Sequence, residues 1–194
     1  MLKKYISADQ LLRDSCELAM RIAQSGFRPT LIAGVWRGGT PVAIAVQEIM
    51  EFLGLGCDHI AIRTSAYTGM EQRGEVQVYG LEYLHQNLQP EHSLLIVDDV
   101  FDTGLSMEQV LKELQSLFGK QAPIIKLAMP YFKPENNLTI RIPDYYVHTT
   151  SDWLVFPHEL QGLTDTEIMG KHGLQELTPR LLLMRDQLAT QEKS

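Results

Sequence analysis

Leu94-Leu95-Ile96-Val97-Asp98-Asp99-Val100-Phe101-Asp102-Thr103-Gly104-Leu105-Ser106 carries more information than any other stretch of this chain. Four aliphatic residues in a row predict a strand covered on both faces. That strand ends in two carboxylates, takes a short apolar step, and then opens a helix with Asp-Thr-Gly-x-Ser. Met107, Val110, Leu111, Leu114, Leu117 and Phe118 supply the apolar stripe of that helix. Open parallel sheets bind ligands beyond the carboxyl ends of their strands, so the acidic pair and the loop stand where a site belongs. The loop suits a phosphate. Gly104 permits a tight turn, the N–H groups and dipole of the new helix favour an anion, and Thr103 and Ser106 add hydroxyls. Asp102 alone would pass for a helix cap, and Asp98 with Asp99 for a solvated strand end. Three carboxylates and two hydroxyls on one strand–loop–helix turn favour chemistry. No GxxxxGK[ST] and no GxGxxG after a strand occurs, which argues against a P-loop NTPase or a dinucleotide fold.

Working outward, strands alternate with helices. Residues 7–10 read as a capping box, and Leu11, Leu12, Cys16, Ala19, Ile22 and Ala23 follow at helical spacing up to a stop at Gly26. Residues 30–34 predict a strand, 34–39 a glycine loop, and Thr40-Pro41 the cap and first position of a largely buried helix over 42–53. Further strands are expected at 57–63, 75–79, 124–129 and 144–148, with a polar, aperiodic loop at 64–74. This order predicts an α/β fold with a mainly parallel twisted sheet flanked by helices. From Thr164, which opens a second capping box with Glu167, the tail reads as helical, with another start at Thr178-Pro179. The 194 residues suit one domain, with its core at about 25–150.

A net charge of -7 and the lack of any basic run argue against nucleic-acid or membrane-surface partners. No apolar run reaches the length of a membrane span, and no apolar stretch follows the N-terminal lysines, so a cytoplasmic setting is expected. Cys16 and Cys57 lie in no CxxC or Cys/His cluster and read as small apolar residues.

The thirteen-residue segment resembles the phosphoribosyl pyrophosphate (PRPP) signature of type I phosphoribosyltransferases. The resemblance extends over roughly residues 31–159 and is nearest to the hypoxanthine–guanine and xanthine–guanine members. It implies their fold, with a small base-binding hood and a helical C-terminal tail drawn from the two terminal segments. It also implies transfer of ribose 5-phosphate from PRPP to a 6-oxopurine, with Mg²⁺ and a homodimeric or homotetrameric enzyme. Carried over by position, Asp98 and Asp99 face the ribose hydroxyls. Asp102, Thr103, Gly104, Leu105 and Ser106 hold the 5′-phosphate, and Asp102 takes the purine proton. Trp36, Arg37, Gly38 and Gly39 form the pyrophosphate loop. Ser65 and Tyr67 open a mobile catalytic loop expected to order over bound PRPP. Lys133, in Tyr131-Phe132-Lys133-Pro134, donates to the purine O6, Trp153 stacks on the ring, and the Leu154 backbone meets the 2-position. Asp98, Asp99 and Glu159 are the implied metal ligands. A pyrimidine- or adenine-specific relative, or a non-catalytic sensor of PRPP or nucleotide on the same fold, are the alternatives; a cationic Lys133 speaks against adenine, whose 6-position is an amino donor.

Overall fold

The computed structural model describes residues 3–66 and 76–191. The chain divides into two compact units. The larger is Asp9–Ser151; the smaller combines the segment before it with the segment that follows.

In the larger unit, helix α1 (Ala8–Gln24) leads into strand β2 (Leu31–Trp36), helix α2 (Gly39–Phe52), β3 (Asp58–Ala66), β4 (Val76–Tyr79) and the short helix α3 (Leu81–Asn87). Strand β5 (Ser93–Val97), the two-residue β6 (Val100–Phe101), helix α4 (Leu105–Phe118), β7 (Ile124–Phe132) and β8 (Tyr145–Thr149) follow. The sheet order is β4-β3-β2-β5-β7, with β6 also on β7. Every pairing is parallel except that of β3 with β4. The mainly parallel α/β sheet is therefore as the alternation of elements predicts. Leu94, Leu95, Ile96 and Val97 are wholly buried, as an aliphatic strand covered on both faces must be. Val110 and Leu114 of α4 join Leu94, Ile96, Ala33 and Val35 in one core.

One feature of the sheet governs the site. Ala128 pairs with Val97 of β5, and Tyr131 pairs with Val100 of β6, while β8 takes the opposite edge of β7. The chain thus leaves the ladder after Val97 and rejoins it at Val100 in the same register. Asp98 and Asp99 occupy the gap. Pro130, with no N–H to donate, lies in the matching stretch of β7.

Several local expectations need correction. Strand β2 runs to Trp36, two residues past Gly34, because its ladder with β3 continues to the Trp36–Arg63 pair. Helix α2 starts at Gly39, so Thr40 lies inside its first turn instead of capping it. The Thr40 hydroxyl is buried and makes no hydrogen bond among the described residues. The inward face of α1 is Leu11, Asp14, Ser15, Leu18, Ala19 and Ile22. Leu12 is exposed and Cys16 only half-buried, because the stripe is turned toward Asp14 and Ser15, whose polar atoms find partners inside. In α2, Ile44 and Phe52 are exposed. Residues 64–66 continue β3 and do not begin a loop. The rest of the expected mobile loop, residues 67–74 with Tyr67, and the first residue of the strand expected at 75–79 lie outside the described residues.

In the smaller unit, β1 (Lys3–Tyr5) pairs in parallel with β9 (Trp153–Val155). Helix α5 (Asp165–Met169) begins with the expected capping box, Thr164 and Glu167 bonding each other's backbone. Helix α6 (Thr178–Gln191) follows. Among the described residues no helix is long and apolar enough to cross a membrane.

Candidate active site

The sheet order reverses direction between β2 and β5, the chain running outward to β3 on one side and to β7 on the other. Ligands of open α/β sheets bind at such a switch point, beyond the strand ends. The segments that leave β2 and β5 meet there. A Cβ on Gly38 would collide with the Asp99 carboxylate, and one on Gly39 would lie 2.5 Å from the Val97 carbonyl oxygen and 2.6 Å from the Asp98 Cα. Both glycines are needed for this approach, which brings the backbone of residues 38–39 against the acidic pair. Asp99 is 8% exposed. Burial and the neighbouring Asp99 charge push the Asp98 carboxyl well above the usual carboxylate range, although its hydrogen bonds from the backbones of Asp99 and Gly39 pull the other way.

Three residues on, Asp102 sits in the opposite situation. Lys133 Nζ donates to its Oδ2 at 2.8 Å, and Asn136 Nδ2 donates to its Oδ1 at 2.7 Å. Lys133 is nearly buried, with 9% of its side chain exposed against 41% for Asp102. Burial pushes the Asp102 carboxyl up, but the bonds from Lys133 and Asn136 and the Lys133 charge outweigh it and leave the group below its ordinary value. Lys133 is placed by its own N–H, which donates to the Phe101 carbonyl at 2.9 Å and so extends the β6–β7 ladder.

Asp102 opens the loop into α4. Gly104 caps that helix with φ 79°, in the left-handed region. A Cβ there would also press on Thr139 Oγ1, Phe101 Cε1 and Asn137 Oδ1, all within 3 Å. The Thr103 hydroxyl accepts from the Leu105 N–H at 3.4 Å, while the first-turn N–H groups of any helix lack intrahelical partners. A strand end with two carboxylates, a glycine loop at a helix start and a buried lysine on a third carboxylate follow one another at the carboxyl ends of β5 and β6. This arrangement can hold a sugar phosphate and move a proton.

The sequence matches the phosphoribosyl transferase domain over residues 5–161. The chain belongs to the phosphoribosyl transferase family. It is 31% identical over 170 residues to the xanthine-guanine phosphoribosyltransferase of Desulfotalea psychrophila, covering 86% of this chain and 92% of that one. The crystal structure of a purine phosphoribosyltransferase from Pyrococcus horikoshii matches with a TM-score of 0.66 and 30% identity, over 84% of this chain and 98% of the other. The Helicobacter pylori xanthine-guanine-hypoxanthine phosphoribosyltransferase, at 20% identity, shares the fold with a TM-score of 0.68 over 92% of this chain and 99% of that one.

In this member of the family the larger unit gathers Gly38, Gly39, Asp98, Asp99, residues 102–106 and Lys133. Trp36 and Arg37 are exposed at the end of β2, joined by a cis peptide bond. Ser65 stands in β3 opposite Gln77 of β4, and Tyr67 lies outside the described residues. Trp153 and Leu154 belong to β9 of the smaller unit, with 56% and 6% exposure. Glu159 is in that unit too, where its Oε2 accepts the Phe156 N–H at 3.0 Å.

Three groups escape a reading of the sequence. Asn136 is one, since only the fold brings it to Asp102. Asp14 is another: it is 3% exposed and receives Tyr131 Oη at 2.6 Å, Gln10 Nε2 at 2.7 Å and His148 Nε2 at 2.9 Å, two residues along β7 from Lys133. Burial raises the Asp14 carboxyl and these bonds more than reverse the rise, leaving it below its ordinary value. In the smaller unit the buried Lys171 donates to the carbonyls of Phe156 at 2.6 Å and Glu159 at 2.8 Å, fixing the turn after β9. The only signal for Asn136 was a turn-rich Pro-Glu-Asn-Asn after a strand.

Proposed function

We propose that this protein is a purine-salvage phosphoribosyltransferase that transfers ribose 5-phosphate from PRPP to a 6-oxopurine. The observation that carries the base assignment is the nearly buried Lys133 ammonium on Asp102. A cation at the base edge suits a carbonyl acceptor and repels the amino group of adenine. The names of the relatives above support the same class, and they favour catalysis over a purely sensing role.

In this reading the 5′-phosphate is held by the Asp102–Ser106 loop and the start of α4. The ribose hydroxyls meet Asp98 and Asp99, and the pyrophosphate meets Arg37, Gly38 and Gly39. A base nitrogen forms the new bond to C1′ as the C1′–oxygen bond to pyrophosphate breaks, the electron pair leaving with pyrophosphate. Positive charge develops on the ribose in between, as in glycosyl transfer generally. The imidazole proton of the base passes to Asp102, whose carboxylate is already ionised. Trp153 and Leu154 supply ring stacking and a backbone contact to the base.

The acidic pair suits Mg²⁺, because a cation would relieve the repulsion between two adjacent, poorly hydrated carboxylates. Asp98 and Asp99 would hold the ion, directly or through the ribose oxygens. No cluster of three or more acidic, His or Cys groups gathers among the described residues, so the remaining ligands would be water and substrate oxygens, as Mg²⁺ prefers. When bound, the ion neutralises charge on the leaving pyrophosphate. Glu159, already engaged with the Phe156 N–H, is the weaker candidate ligand. We place the enzyme in the cytoplasm as a homodimer or homotetramer on the family resemblance.

The test is to incubate the chain with PRPP, Mg²⁺ and hypoxanthine, guanine, xanthine or adenine in turn. Nucleoside monophosphate and pyrophosphate should form with at least one oxopurine and not with adenine. Product from adenine alone, or from no base, would overturn the assignment.

A further inference from the structure

Each carboxylate oxygen of Asp102 already has one donor. Lys133 occupies Oδ2 and Asn136 occupies Oδ1. Yet the reaction asks Lys133 to meet the purine O6 and Asp102 to accept the ring N–H beside it. On a 6-oxopurine these two groups share one edge, an acceptor next to a donor. Lys133 and Asp102 present the complementary order, a donor next to an acceptor. The base therefore draws on the same ammonium and the same Oδ2 that bond each other here. The ammonium passes from Oδ2 to O6, and Oδ2 receives the ring N–H, so hydrogen bonds are exchanged and none is lost.

That exchange requires the carboxylate to stay still while the ammonium moves. The terminal torsion of an aspartate is broad and intrinsically soft, and a carboxylate held by Lys133 alone would swing with its partner. Resting on the assignment above, we propose that Asn136 is the positioning residue that holds Asp102 through Oδ1 while Lys133 transfers to the base.

The geometry around Asn136 is built for holding. It ends a one-turn 3₁₀ helix, Pro134–Asn136, with proline at its start, and its N–H donates to the Lys133 carbonyl at 3.2 Å. The next residues brace the same loop. The Leu138 N–H donates to the Thr103 carbonyl at 2.9 Å, and Asn137 Oδ1 takes the Thr139 N–H and hydroxyl at 2.9 Å each. One short segment thus grips Asp102 by its side chain and Thr103 by its backbone. A neutral amide is the right donor for Oδ1. A second cation there would not leave when the base arrives, and would compete with the proton that Asp102 must accept.

The test uses the full chain with Mg²⁺, PRPP and the best oxopurine, comparing wild type with Asn136→Ala, Asn136→Asp and Asn136→Gln. Asn136→Ala should lower kcat about 10- to 100-fold, the worth of a hydrogen bond to a charged acceptor, and leave the KM for PRPP within about twofold. Asn136→Asp keeps the shape but turns the donor into a second carboxylate, so its kcat should fall further. Asn136→Gln restores an amide and should recover at least part of the loss. A purely structural role would lower kcat only in step with the melting temperature of each variant, and would move the KM for PRPP as well. If Ala unfolds the chain, the isosteric variant carries the comparison alone. Wild-type kcat in both Ala and Asp variants overturns the inference, as does a loss confined to the KM for PRPP. Failure of the wild type to make any nucleotide would instead sink the function assignment on which the inference rests.

Discussion

The two ends of the candidate site treat their carboxylates in opposite ways. On the β7 side, Asp102 and Asp14 are each surrounded by donors, and each is held below its ordinary pKa. At the end of β5, Asp98 and Asp99 lie side by side, and Asp98 is driven upward. The β7 end is complete without ligand; the β5 end is frustrated without it. Frustration of this kind marks where binding energy is to be gained, since a cation or sugar hydroxyl relieves a cost the chain already bears. Completion marks where geometry must be kept through a reaction.

The strongest blow to this contrast is Asp102→Asn. Removing the proton acceptor should cut turnover roughly 10²–10⁴-fold, while PRPP binding, measured by calorimetry, survives because the phosphate loop is intact. Turnover near that of wild type would reduce Asp102 to a structural partner of Lys133 and Asn136. Next comes Lys133→Ala, which should cost about 1.5–3 kcal/mol in kcat/KM for hypoxanthine or guanine, as for a lost hydrogen bond to a charged group, with PRPP affinity little changed. Equal use of all purines as before would place the lysine outside the base site. At the frustrated end the sign reverses for stability. Asp98→Asn should raise the melting temperature of the ligand-free chain by about 2–4 °C, equivalent to about 1 kcal/mol for a chain of this size, and should weaken PRPP binding with Mg²⁺. A drop in melting temperature would show that the acidic pair is not strained.

The smallest effect concerns Asp14 and acid. Its folded pKa is depressed, so its contribution is present above the unfolded value of about 3.9 and is lost as pH falls through the lower folded value. Melting curves of wild type and Asp14→Asn should differ at neutral pH, with the variant less stable, begin to approach each other only below about pH 4, and meet once the pH is below the depressed folded value. A gap that persists in acid would mean that Asp14 acts by shape alone.

What the sequence disclosed follows from distance along the chain. Residues 94–106 form strand, gap, loop and helix from consecutive residues, so the burial of the strand and the turn at Gly104 could be read directly. Thr40 misled because Ser/Thr-Pro is a sound cap signal, whereas the close approach of Gly39 to Val97 and Asp98 decides where α2 begins. Asn136 meets a partner 34 residues away and Tyr131 one 117 away, and no local pattern encodes either contact. Helix α3 is only seven residues long, too short for its period to stand out. Strand β1 has three residues and exists only through its ladder with β9.

That last pairing has a consequence for biosynthesis. Lys3, Lys4 and Tyr5 find their backbone partners in Trp153, Leu154 and Val155. A ribosome adding about 5–20 residues per second needs roughly 8–30 s between making one strand and its mate. Throughout that interval the backbone groups of residues 3–5 lack their ladder and are open to any other extended segment. The smaller unit can therefore close only after Trp153–Val155 have been made, and Lys3–Tyr5 must wait for a strand that follows the whole larger sheet.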